Sequence, residues 1–153
     1  MDELANQPVN TVDIVVADTG ADGPNAGFIQ PESLWQPVGA TDAFRGRGAD
    51  STISIDPEYL NGQGTVNVLG SHGGYFQVEP DEILFHELVH ARDIVNGTLT
   101  VDRQDGVLLP ELSAVDETNQ YRQEKADAAG ETAFQREGYL DGALSDNVEG
   151  HPL

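Results

Sequence analysis

An α+β fold is expected, with a small twisted sheet packed on one long helix and a second long helix beside it. Three observations predict it. Short β-branched runs fill the first half of the chain, an apolar helical period follows at 81–96, and a second helical stretch lies between Pro110 and Gly130. At 153 residues the chain suits one domain over 1–153, large enough to bury a core without staples, with 1–10 and 141–153 as flexible tails.

The elements are justified in order. Thr11-Val-Asp-Ile-Val-Val-Ala17 is β-branched and mostly apolar, so it is expected to be a strand. Turn formers dominate from Asp18 to Gly27. The segment Asp18 to Gly23 resembles a calcium loop only superficially, because Gly20 and Ile29 occupy ligand positions, and it is expected to be a turn. Ser51–Ile55 alternates polar and apolar residues and predicts a strand, as do Thr65–Leu69 and Tyr75–Val78. Gly70-Ser-His-Gly-Gly74 between the last two lacks the lysine and spacing of a phosphate-binding loop. The helix at 81–96 takes Asp81 as its N-cap, with Glu82 in the first turn and Asn96-Gly97 as the stop. Its apolar residues Ile83, Leu84, Phe85, Leu88, Val89, Ile94 and Val95 fall on most faces, which predicts burial. The second helix starts near Pro110 and runs to Ala129, and a short third helix is expected over Glu131 to Arg136.

Charge narrows the partners. There are 27 acidic residues against 7 basic ones, a formal net charge of -20. Such a field repels nucleic acid and anionic membrane surfaces, and no apolar run is long enough to span a bilayer. A single lysine, Lys125, among many carboxylates suits a salt-adapted surface or a genome that replaces lysine by arginine. The start, Met1-Asp-Glu-Leu4, lacks the features of a signal peptide, as would a domain cut from a longer chain. With no cysteine, any transition-metal site must be built from His, Asp and Glu, and the histidines are His72, His86, His90 and His151.

His86-Glu87-Leu-Val-His90 lies inside the strongest helix. Residues four apart share a helix face, so both imidazoles can reach one ion, and Glu87, about 100° round from His86, can reach a water beside it. Zinc acidifies such a water and polarises a carbonyl, leaving Glu87 to take the proton as base. The site needs a third ligand. Glu111, at the start of the second helix, is expected to supply it, with Asp116 and Glu117 as alternatives; its other reading is a first-turn glutamate favoured by the helix dipole. Asp93 could orient a ligand imidazole or lie on a solvated face. Arg122 and Glu124 are expected to form a surface pair, and His72 to be a loop histidine without a role.

The run His86 to Thr98, followed by Glu111 and by Asn119-x-x-Arg122-x-Glu124, resembles the effector-type zinc metallopeptidases of type III secretion effectors and polymorphic-toxin domains, similar in site layout to clostridial neurotoxin light chains. The resemblance covers roughly 55–139. It implies a compact zincin-like fold, a Zn(2+) cofactor on His86, His90 and Glu111, and a protein or peptide substrate. Arg136-Glu-Gly-Tyr139 resembles the Arg-x-x-Tyr of the neurotoxin-like relatives, which implies that Arg136 and Tyr139 donate to the developing oxyanion. The chain departs from the pattern in having Pro110 before Glu111 and Thr118 before Asn119.

The function expected is zinc-dependent endopeptidase activity on a protein, as a toxin or effector, by a monomer. An effector would be secreted or translocated. The alternatives are a housekeeping protease of a salt-adapted cell, which would be cytoplasmic, and an inactive, zinc-stabilised acidic interaction module. Glu87 argues against the last, because binding zinc does not require it.

Overall fold

The computed structural model describes residues 10–16, 27–31, 46, 48–55, 57–61 and 66–137. The turn expected at 18–23, the tails at 1–9 and 141–153, and Tyr139 lie outside them.

The architecture is α+β. Strands β1 (Val12–Val16), β2 (Gly27–Pro31) and β3 (Ser51–Ile55) form a mixed sheet in the order β1-β3-β2, with β1 parallel and β2 antiparallel to β3. A short helix α1 (Pro57–Leu60) leads to the hairpin of β4 (Val66–Leu69) and β5 (Tyr75–Val78). Helix α2 (Pro80–Asn96) follows, then a small hairpin of β6 (Arg103–Gln104) and β7 (Val107–Leu108), then α3 (Leu109–Ala129). Strand β2 is a correction: its first residue ends a run of turn formers and its last is a proline, so nothing local marked it as a strand.

β3 is the centre of the packing. Its pleat turns Ser51, Ile53 and Ile55 inward, all buried, while Thr52 and Ser54 are half-buried. Ile53 and Ile55 pack on Ala91 and Leu84 of α2, and the small Ala91 lets the helix come close to the strand. A second cluster, Ala49, Ile94 and Leu99, seals the end of α2.

Both ends of α2 are fixed by recognisable chemistry. It begins two residues before the expected cap: Glu79 is the N-cap, Pro80 opens the helix, and Glu79 and Glu82 satisfy one another's backbone N–H groups as a capping box. At the other end Gly97 adopts φ 69°, the left-handed conformation that stops a helix. The last carbonyls are taken up by the chain before β3: Ala49 N–H donates to Ile94 O, Gly46 N–H to Gly97 O, and Asn10 Nδ2 to Val95 O. Gly48 makes that approach possible, since a Cβ there would stand 1.7 Å from Val95 O.

α3 ends as its sequence predicts, at Gly130 with φ 71°. It runs antiparallel to α2, as the contacts of Asp81 with Lys125 and of His90 with Glu111 require. The third helix expected over 131–136 is absent. That segment is extended and pairs antiparallel with the end of β4 through the Gly70–Arg136 bridge, where backbone partners outweigh a weak local helical preference. Among the described residues no helix is long and apolar enough to cross a membrane.

Candidate metal centre

α2 buries a face that is mostly polar. Glu82, His86, Glu87 and His90 are buried together with Val89, Ala91 and Ile94. The four-residue spacing places both imidazoles on one side of the helix, with the rings edge to face. The first turn of α3, opened by Pro110, presents Glu111 to them.

Three donors converge. His86 Nε2 and His90 Nε2 are 3.3 Å apart, His86 Nε2 is 3.4 Å from Glu111 Oε2, and His90 Nε2 is 3.3 Å from Glu111 Oε1. A tetrahedral zinc ion with bonds of about 2.0 to 2.1 Å holds neighbouring ligand atoms about 3.3 Å apart. The imidazole pair has that spacing, each Nε2 lies as far from one of the two Glu111 oxygens, and one ligand atom from each residue lies within 4.8 Å of the others, so two imidazoles and one carboxylate form a donor set that could hold one metal ion.

The electrostatics point the same way. Burial strips the proton from His86, whose pKa falls to about 4, helped by the charges of His90 and Arg136 and opposed by the hydrogen bond to Glu111. Burial acts against the His90 imidazolium too, but hydrogen bonding and charge from Glu111 outweigh it and raise its pKa. Glu111 is desolvated, yet the two imidazoles hold it well below the usual carboxylate range. It is thus an anion ready to neutralise a cation. Glu87 is pushed up to about 8 by burial, with His90 lowering and Glu111 raising it. Among the described residues, Glu87 Oε2 and His86 Nδ1 have no hydrogen-bond partner although both are buried, an expensive arrangement that apolar replacements would avoid.

The structure separates the other candidates. Asp116 is exposed on α3, and Glu117 is bound to Arg92 at 2.6 and 2.9 Å, so neither joins the cluster. Asp93 accepts from Arg92, and its charge favours the His90 imidazolium from outside. His72 lies against Phe134 with ring centroids 4.8 Å apart and the planes tilted by 37°. Arg136 is half-buried, and its charge reaches His86.

One pairing expected from the sequence is corrected. Arg122 does not pair with Glu124, which instead accepts from Gln120. Residues two apart on a helix point away from each other, and Arg122 turns inward to Glu82 of α2. The signal that could have found it was present: Glu82 sits one helical turn before His86 on the buried face, where a carboxylate needs a cationic partner.

A search of curated proteins found no match. The Peptidase_M91 family, described as an effector protein, matches residues 5–138. That match spans the sheet, both long helices and all three converging donors, and the chain belongs to the Peptidase_M91 effector-protein family.

Proposed function

We propose that this protein is a zinc-dependent endopeptidase that cleaves a protein substrate after translocation as an effector. The observation that carries the proposal is the convergence of His86, His90 and Glu111, with the two Nε2 atoms 3.3 Å apart and each 3.3 to 3.4 Å from a different oxygen of Glu111, together with the burial of Glu87. His86, His90 and Glu111 would hold the ion. When bound, zinc supplies a Lewis acid that polarises the scissile carbonyl and acidifies water.

The chain's own residues do the rest. Burial pushes the Glu87 carboxyl up to about 8 in the metal-free site, and a bound cation would lower it again, leaving Glu87 as a carboxylate that takes a proton from water and returns it to the leaving amine. The charge of Arg136 reaches His86, where it would favour a developing oxyanion, and Tyr139 is its proposed companion donor. The family's effector description favours a translocated protease over a housekeeping one.

The test is direct. A host-cell lysate is incubated with zinc-loaded protein or with Glu87→Gln, and new N-termini are identified by mass spectrometry. A small set of termini produced only by the parent, and abolished by a chelator, is expected. An identical terminus list for parent and Glu87→Gln would end the peptidase reading.

A further inference from the structure

The segment bearing Arg136 is held from two sides. Toward β4, Ser71 N–H donates to Gln135 O and Glu137 N–H donates to Leu69 O, both at 2.9 Å. In this register Gly70 and Arg136 face each other without sharing hydrogen bonds, so the N–H and C=O of Arg136 point the opposite way. A further strand would normally meet them. Here the side chain of Asn119, from α3, does so: Arg136 N–H donates to Asn119 Oδ1 at 2.7 Å, and Asn119 Nδ2 donates to Arg136 O at 2.9 Å. One primary amide thus stands in for the neighbouring strand.

The amide has a fixed orientation. Asn119 Oδ1 also accepts from Arg122 Nη1 at 2.9 Å, so a flip would set its NH2 group against both a backbone N–H and a guanidinium. Arg122 is itself held from several sides. It is paired with Glu82 through two hydrogen bonds at 3.1 and 3.0 Å, lies 4.7 Å over the ring of Phe76, and donates to Phe134 O. Glu82 is one turn before His86 on α2. A continuous polar path therefore runs from the helix of the metal centre, through α3, to the backbone of Arg136.

We propose that Asn119, locked by Arg122, is a positioning residue that sets Arg136 against the metal centre. Its catalytic consequence rests on the peptidase reading above. The amide restricts the one backbone unit from which the Arg136 side chain springs, and small misplacements of a charged group at a reacting centre cost about 10-fold to 100-fold in rate.

The test uses zinc-loaded full-length protein with Asn119→Leu, Arg136→Ala and the double variant. Amide hydrogen exchange is followed by NMR, and kinetics use a synthetic peptide spanning the bond found in the lysate experiment. Asn119→Leu should expose the Arg136 N–H to exchange, faster by about tenfold or more. The Ser71 and Glu137 amides should keep their protection. kcat should fall about 10-fold to 100-fold with KM within about twofold. In the Arg136→Ala background the same substitution should leave kcat unchanged, which a general loss of stability would not do. Unaltered exchange at Arg136, or an equal loss of kcat in both backgrounds, overturns the proposal. Should Asn119→Leu not fold, Asn119→Asp replaces it, keeping the acceptor for Arg136 N–H and Arg122 while setting a charged oxygen against Arg136 O in place of the donor. It should lower kcat in the parent background alone, and an equal loss in both again overturns the proposal. A parent that cleaves nothing sinks the peptidase reading instead, and the exchange measurement still decides the clamp.

Discussion

Replacing Glu82 by alanine should be among the most damaging changes outside the metal centre. The side chains of Arg122 and Glu82 are only 7% and 5% exposed. Removing the carboxylate leaves a buried guanidinium with Asn119 Oδ1, Phe134 O and the face of Phe76 but no counter-charge. Breaking a buried pair from one side costs about 3 to 5 kcal/mol, and the remaining acceptors place this case near the lower figure. Glu82 also accepts from Glu79 N–H, so the capping box is lost, at about 1 kcal/mol. The total of about 4 kcal/mol is a large part of the roughly 5 to 15 kcal/mol that stabilises a domain. For a chain of this length it lowers Tm by about 8 to 16 °C. Urea unfolding followed by circular dichroism measures it, in a cycle with Arg122→Met and the double variant. The double variant should be at least about 2 kcal/mol better than the sum of the singles, because neither charge is then stranded. Single costs below about 1 kcal/mol, or additive ones, would refute the view that the pair acts as a buried unit.

Three further outcomes are expected. Glu87→Gln should retain about one zinc per chain and the zinc-induced rise in Tm while losing nearly all activity, whereas Glu111→Ala should lose that rise, which reflects about 2.7 kcal/mol of stabilisation at 100-fold excess over Kd; thermal shift with elemental analysis checks both. In metal-free protein, the Glu87 carboxyl titrates near 8 folded and near 4.5 unfolded, so its contribution to stability is complete below the unfolded value and disappears as pH rises through 8. Glu87→Gln, facing the same His90 and Glu111, should therefore gain Tm relative to the parent from pH 5 to pH 8.5, and a constant difference would contradict the shift. Tyr139→Phe should lower kcat and kcat/KM alike by about 2 to 4 kcal/mol, with KM, zinc content and Tm unchanged; a variant within about threefold of the parent rate would remove Tyr139 from the catalytic residues.

What could be read from the sequence was local. His86-Glu-x-x-His90 announces its geometry because helical spacing alone brings the imidazoles together, and Pro110 and Gly130 bracket α3 because both have few other conformational uses there. The start of α2 was also legible in principle, since Pro80 suits the first helical position and Glu82 stands three residues after Glu79. What was missed depends on partners far along the chain. β2 is a strand because β3 offers it a ladder, and 135–137 is extended because β4 and Asn119 take its backbone groups. No window of sequence around Glu131 to Arg136 contains those partners.

The polar inner face of α2 explains why so much of the fold is arranged around that helix. Four of its seven buried residues are ionisable, so burial of the helix draws less on apolar transfer than usual. The deficit is offset elsewhere: by Ala91 and Ile94 against β3 and Leu99, by the backbone N–H groups of Gly46 and Ala49 on its last carbonyls, and by Arg122 on Glu82. Each of these supports lies outside the triangle of donors and holds it in place without competing for the same lone pairs. Among the described residues, the buried side-chain atoms without hydrogen-bond partners include His86 Nδ1 and Glu87 Oε2 of the motif, and Ser51 Oγ of β3. A fold selected for stability alone would fill those positions with apolar side chains. The cost at His86 and Glu87 falls on the candidate metal centre, and the surrounding contacts hold that polar face of α2 in place.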